Sequence, residues 1–160
     1  MSTLTAAQVA DQEASLVLSS FTLADAVGLG AIAQSRAESE EMPLIIQVRH
    51  GRRIAFMVSL PGSHADSENW IIRKAAVVEK FDTSTMYQKL RYLERGTTFV
   101  EATGLDEQKY AAHGGGMPIA VANVGIVGSI YASGLPDVED HGFLVDCLRE
   151  LQAAQALQSS

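Results

Sequence analysis

The sequence has one cysteine, Cys147, so no intrachain disulfide can form. The fold must rest on its core, and a reducing compartment is its natural home. Basic residues are also short: 12 Lys plus Arg stand against 19 acids, a net charge of −7. That sign excludes general nucleic-acid binding, which neutralises phosphates, and docking on anionic membranes. Aromatic residues make up 6% of the chain, too few for a base-stacking platform. No window approaches the roughly 18 apolar residues of a membrane span. The N-terminal MSTLTAAQVADQEAS has neither a basic n-region nor an apolar h-region, so it does not read as a secretory signal. Four scattered His give no zinc spacing, and HExxH, GK[ST] and a GxGxxG after a strand are missing. Ser133-Gly134 lacks the GxSxG elbow. These absences lead to the expectation of an acidic cytoplasmic domain with no metal site and no nucleic-acid or membrane partner.

What is present suits one domain over residues 1–160, with 1–3 and 157–160 as frayed ends. The chain is 47% hydrophobic, and at this length a fold buries roughly 70% of its unfolded surface. Leu4 to Leu18 is Ala-rich and helix-prone. Thr22 can cap a second helix to Glu41, with Asp25 at its positive end, before Pro43 ends it. Leu44, Ile46 and Val48 alternate with Ile45, Gln47 and Arg49, a period of two that predicts a strand. His50-Gly51 reads as a hairpin turn into a partner strand carrying Ile54, Phe56 and Val58. Asp66 or Ser67 can cap a helix from Glu68 to Phe81, and Ser84 can start another to Arg95. Thr98, Phe99 and Val100 read as a possible short strand. Strands over 118–123 and 126–133 follow, joined at Val124-Gly125. Pro136 and the acids Asp137, Glu139 and Asp140 open a last helix to Ala156. Short turns between strands imply antiparallel pairing, and helices before, between and after imply an α+β sheet with helices on its faces.

Three motifs in order carry a resemblance: PG followed by WIIRKAAVVEKF, then YAAHGGGMPI, then VGIVGSIYASGLPDVEDH. From Leu44 to Val145 the chain resembles the haem-degrading domain family, also called HbpS-like or GlcG-like. The closest resemblance is to its short cytoplasmic branch, whose members mostly have no assigned function. The resemblance implies a profilin-like α/β/α layering with an antiparallel sheet of about five strands. It also implies dimer-based homo-oligomers and, for some members, haem. It assigns no haem ligand to any position here.

The residues themselves nominate candidates. At 100° per residue Trp70, Ile71, Lys74, Val77, Val78 and Phe81 share one arc, with Arg73 and Lys80 on the other side. Lys74 on an apolar stripe either snorkels or pairs with a carboxylate, or it faces a pocket and holds an anion or carbonyl group. His141 sits between Val145 and Leu148 on the last helix. It is either a neutral core histidine or a pocket residue that binds a ligand or moves a proton. Phe143, Cys147 and Ala154 form a second apolar face, for a subunit or another helix. His113 precedes Gly114, Gly115 and Gly116. That turn is either a tight connection into the sheet or a nest of N–H groups that receives an anion. Arg49, Arg52 and Arg53 surround the hairpin turn and read as solubility or cross-subunit charges. His50 and His64 read as exposed loop residues. Glu38, Glu40 and Glu41 read as a solvated helix end. Two functions remain in view. The first is an oligomeric small-ligand-binding or scaffold module, with a pocket between the Trp70–Phe81 helix and the His113–Met117 turn. The second is a haem- or iron-handling protein using His113 or His141, with Lys74 or Arg73 on a carboxylate.

Overall fold

The computed structural model describes residues 3–158. Helix α1 (Ala6–Ser15) starts at Thr5 and α2 (Leu23–Ser39) at Thr22, each with a reciprocal capping box. In the second box Thr22 pairs with Asp25, which satisfies two N–H groups that a helix start leaves open. A hairpin follows, β1 (Ile45–His50) and β2 (Arg53–Ser59), turning at Gly51 with φ +59°. Next come α3 (Asp66–Phe81), α4 (Thr85–Leu93) and α5 (Phe99–Thr103). The second hairpin, β3 (Gly116–Val121) and β4 (Gly125–Ser133), leads into α6 (Asp137–Gln158).

The sheet has four strands in the order β2-β1-β4-β3, every pair antiparallel. The expected count of about five is corrected by α5. Thr98 does not extend a strand. Its hydroxyl accepts the Glu101 N–H as an N-cap, and Gly104 closes the short helix in the left-handed conformation. A cap at each end overrides the β propensity of Thr98, Phe99 and Val100.

Strand alternation puts two residue sets on opposite faces. Leu44, Ile46, Val48, Ile130 and Ala132 pack with Leu29 and Ala33 of α2 and Leu144 and Leu148 of α6. Ile45 and Tyr131 on the other face meet Ile71, Ala75 and Val78 of α3. Phe143 and Cys147 belong to the first core, so that face of α6 is covered within the chain. At Gly30 α2 lies directly on Phe56, where an added Cβ would come within 2.1 Å of the ring. A smaller cluster of Val77, Phe99 and Ala112 anchors α5 to α3.

Several local expectations shift. The N-cap position of α3 is Ala65, without a side-chain cap, and Asp66 and Glu68 serve its first turn as charges. Ser84 does cap α4, accepting the Tyr87 N–H. His50 ends β1 half-buried with Nε2 3.1 Å from the Phe21 carbonyl, so it is not a loop residue. Glu38, Glu40 and Glu41 are exposed. At the C-terminus α6 continues through Leu157 and Gln158. Residues 1, 2, 159 and 160, read as frayed, lie outside the described residues. The free border at β3 is lined by Leu18, whose N–H donates to the Ala120 carbonyl and whose carbonyl accepts the Ala122 N–H. No helix among the described residues is long and apolar enough to cross a membrane.

Candidate functional site

Lys74 lies on the inner stripe of α3 and is 2% exposed. Its ammonium needs acceptors that the apolar layer does not supply. It donates to the Ala132 carbonyl at 3.0 Å and to Asp140 Oδ2 at 3.3 Å. Asp140, equally buried, accepts the Leu135 N–H on Oδ1 at 3.0 Å. One ion pair therefore ties α3, β4 and the start of α6 together. Burial pushes the Asp140 carboxyl up to about 6, with Lys74 and the Leu135 and Gly134 N–H groups pulling back. Burial also lowers the Lys74 pKa, and Asp140 opposes it. A fully desolvated pair of this kind barely repays its dehydration, so the position is an expensive one.

The glycine triplet fits against this pair. Gly114 passes so close to α6 that an added Cβ would fall 2.0 Å from the Asp137 carbonyl oxygen. Gly115 has φ +120° and rests on Lys74 Nζ and the Ala132 carbonyl. Gly116 donates its N–H to Thr85 Oγ1 at 3.1 Å. Gly114, Gly115 and Gly116 are all buried. With the Gly116 N–H taken by Thr85, the turn is a tight connection into β3. Of the three, Gly114 lines a cleft.

That cleft has a volume of about 650 Å³. Lys74 and Asp140 form its floor, and Gly114, Ser133 and Gly134 contribute backbone. Trp70, His113, Lys89 and Asp137 stand higher on its sides, and His64 and Ser67 close the end at the start of α3. Lys89 pairs with Asp137 through Nζ and Oδ2. Burial works to raise the Asp137 pKa, but the hydrogen bond and charge of Lys89 and the Gly114 N–H outweigh it and hold the carboxyl below its usual value. His113 is exposed at the rim, with its ring edge-on to Trp70 at 5.3 Å. Partial desolvation there, and the nearby Lys89 ammonium, lower its pKa, with Asp137 opposing them.

The nominated residues separate into two sets. Trp70, Lys74, His113 and Gly114 share the cleft. Arg73 turns away: its guanidinium lies over Trp70 at 4.4 Å and is clasped by the Glu107 carbonyl. His141 is 1% exposed beneath α1, with Nε2 2.7 Å from Gln12 Oε1. Burial pushes its pKa down to about 4, so it is a neutral core histidine. Arg49 bonds Glu79 within the chain at 3.0 Å, whereas Arg52 and Arg53 are exposed. His64, Ser67 and Lys89 join the cleft without having been nominated, and Asp137 and Asp140, expected as helix-start charges, line it too. A carboxylate partner was readable from Lys74 itself, an ammonium on an apolar arc. Nothing local marks Lys89.

The family model described as haem degrading protein HbpS-like matches residues 21–149. The chain belongs to the HbpS-like family. A UPF0303 protein of Streptomyces coelicolor is 42% identical over 144 residues, covering 90% of this chain and 91% of the relative. UPF0303 proteins are a group of unknown function. Among solved structures, the Ybr137w protein superposes with a TM-score of 0.84 at 27% identity, covering 93% of this chain and 88% of that one. A PduOC:haem complex reaches 0.67 at 16% identity over 81% and 94%, a likeness of fold alone.

Proposed function

We propose that this chain is a cytoplasmic, self-associating module that binds a small ligand through a carbonyl or carboxylate oxygen and performs no catalysis. One observation carries the reading. An ammonium has three N–H donors, and Lys74 has two protein acceptors, Ala132 O and Asp140 Oδ2. The third donor belongs to a buried group at the floor of the cleft, and a ligand oxygen completes it. The two ammonium–carboxylate pairs nearly cancel, so the ligand is held by directed hydrogen bonds more than by net charge. Binding of acetate and acetamide, followed by NMR or calorimetry, tests this. A hydrogen bond to a charged group is worth about 1.5–3 kcal/mol, so Lys74→Met weakens acetate at least tenfold without unfolding the chain. Unchanged affinity in a folded Lys74→Met removes Lys74 from the ligand site.

Self-association is supported by β2. It is an edge strand with Ile54 56% and Met57 36% exposed. Arg52 and Arg53 flank one end of β2 and Glu40 and Glu41 precede the strand beside its other end. A twofold antiparallel meeting of two β2 strands therefore brings opposite charges together. Light scattering on Ile54→Lys reads the result: a shift to monomer is expected, and an unchanged mass refutes the β2 contact.

A second reading, haem held by His113, is favoured by the exposed imidazole at the rim, whose pKa burial lowers. The lining fits a porphyrin poorly, because Trp70 and Leu135 are its only large apolar side chains. A haem titration separates the two. A Soret shift that saturates at one haem per chain and is lost in His113→Ala supports haem, and non-saturating association supports the first reading.

A further inference from the structure

A second hollow, of about 270 Å³, opens on the far side of His113. Its walls carry more large apolar side chains than those of the first cleft. Leu93, Phe99, Val100 and Tyr110 give it an apolar wall from α4, α5 and the segment before the glycines, and Arg73 and Glu107, joined by the hydrogen bonds of the Arg73 guanidinium to the Glu107 carbonyl, also line it. His113 and Lys89 border both hollows, so these two side chains form the partition between them. The partition is light. No hydrogen bond among the described residues fixes the His113 ring, and its one ring contact is the edge of Trp70. A cleft floored by an ammonium thus adjoins a more apolar hollow across the exposed His113 ring and the Lys89 side chain that Asp137 holds. A cavity of about 150 Å³ accepts a benzene ring, so the second hollow holds one aromatic ring with room for a linker.

We propose that one ligand spans both hollows: a carboxylate or carbonyl head at Lys74 and an aromatic body in the Leu93–Phe99–Tyr110 hollow. The ligand class is a small arylalkanoic acid or its carbonyl analogue. This rests on the reading that Lys74 takes the head. It adds that selectivity comes from the second hollow, with His113 as the side chain between head and body.

The test compares propionate with 3-phenylpropionate by calorimetry and protein-observed NMR on the full chain, Lys74→Met and Val100→Trp. The expected result is 3-phenylpropionate at least tenfold tighter than propionate. Val100→Trp, which fills the second hollow, removes that advantage and leaves propionate binding unchanged. Lys74→Met weakens both acids. Leu93→Ala, at a 48% exposed position, reduces the advantage severalfold and supplies the same answer should Val100→Trp not fold. Equal, Lys74-dependent affinities for the two acids overturn the two-hollow inference and leave the Lys74 reading standing. An advantage that survives both hollow variants overturns it as well. Absence of Lys74-dependent binding of either acid overturns both.

Discussion

Replacing Gly115 with Ala puts one methyl group against the Lys74–Asp140 pair, where the backbone leaves no room for it. The added Cβ would lie 2.3 Å from the Ala132 carbonyl oxygen, 2.6 Å from Lys74 Nζ and 3.1 Å from Asp140 Cβ. The Ala132 oxygen cannot retreat easily. It accepts the Lys74 hydrogen bond, its residue pairs with Ile46 in the sheet, and its N–H donates to the Gly115 carbonyl at 2.9 Å. The residue must also hold φ +120°, which side chains rarely adopt. Such backbone strain costs about 1–3 kcal/mol, and forcing a methyl into a filled site costs about 1–3 kcal/mol more. The sum is about 2–6 kcal/mol against a total stability of roughly 5–15 kcal/mol. At 4 kcal/mol the thermal midpoint falls by roughly 8–16 °C for a domain of this size. Gly142→Ala is the matched control. It lies within α6 and an added Cβ meets nothing within 4 Å, so it stabilises by about 0.5–1 kcal/mol through helix propensity. Urea denaturation of the two variants beside wild type decides the matter. A Gly115→Ala protein within 0.5 kcal/mol of wild type, or two variants moving in the same direction, would show that the glycine bend is not closed against Lys74.

Other variants probe the same construction. His141, neutral in the fold and pushed down to about 4, titrates near 6.5 when unfolded. The unfolded chain binds the extra proton between those values, so the stabilising contribution is complete above pH 6.5 and declines as pH falls through 4. The loss is about 3 kcal/mol, and His141→Gln flattens the difference in denaturation between pH 7 and 4.5. Asp140 slopes the opposite way in both proteins, so equal slopes would rule out His141 as the acid-sensitive group. Asp140→Ala leaves the Lys74 ammonium buried without its counter-charge and costs about 3–5 kcal/mol. The double variant Lys74→Met/Asp140→Ala recovers part of that loss, and additive losses in the cycle contradict the pair. Ser84→Ala removes the cap of α4 and the hydroxyl that donates to Glu13, costing about 1–2 kcal/mol. Thr98→Ala removes a cap from an exposed short helix, and an equal or larger loss there contradicts the added value assigned to the Glu13 contact.

Periodicity made the sheet legible because both of its faces are buried. Ile45 and Ile46 must then serve opposite layers, and the alternation shows in the residues themselves. Thr22 and Ser84 were readable because a cap is a local arrangement of side chain and backbone. Thr98 was misread because strand propensity and cap chemistry use the same residue, and only the Gly104 closure distinguishes them. Within the site, Lys74 stood out as a charge on an apolar arc. Lys89 and Asp137 did not, since each looks ordinary on its own helix and their meeting depends on how α4 packs against α6. His113 and His141 look alike as single residues. What separates them is α1, which covers His141 and leaves His113 bare.

Leu18 occupies one border of the sheet, and Pro118 in β3 has no N–H to offer a newcomer there. Strand addition is left one opening, along β2, and a twofold meeting of two copies consumes both openings at once. The resulting eight-stranded layer would end in a closed margin on either side. Growth by this route would terminate at a pair, and a pair so formed would keep an acidic, edge-exposing chain from running on into a fibre.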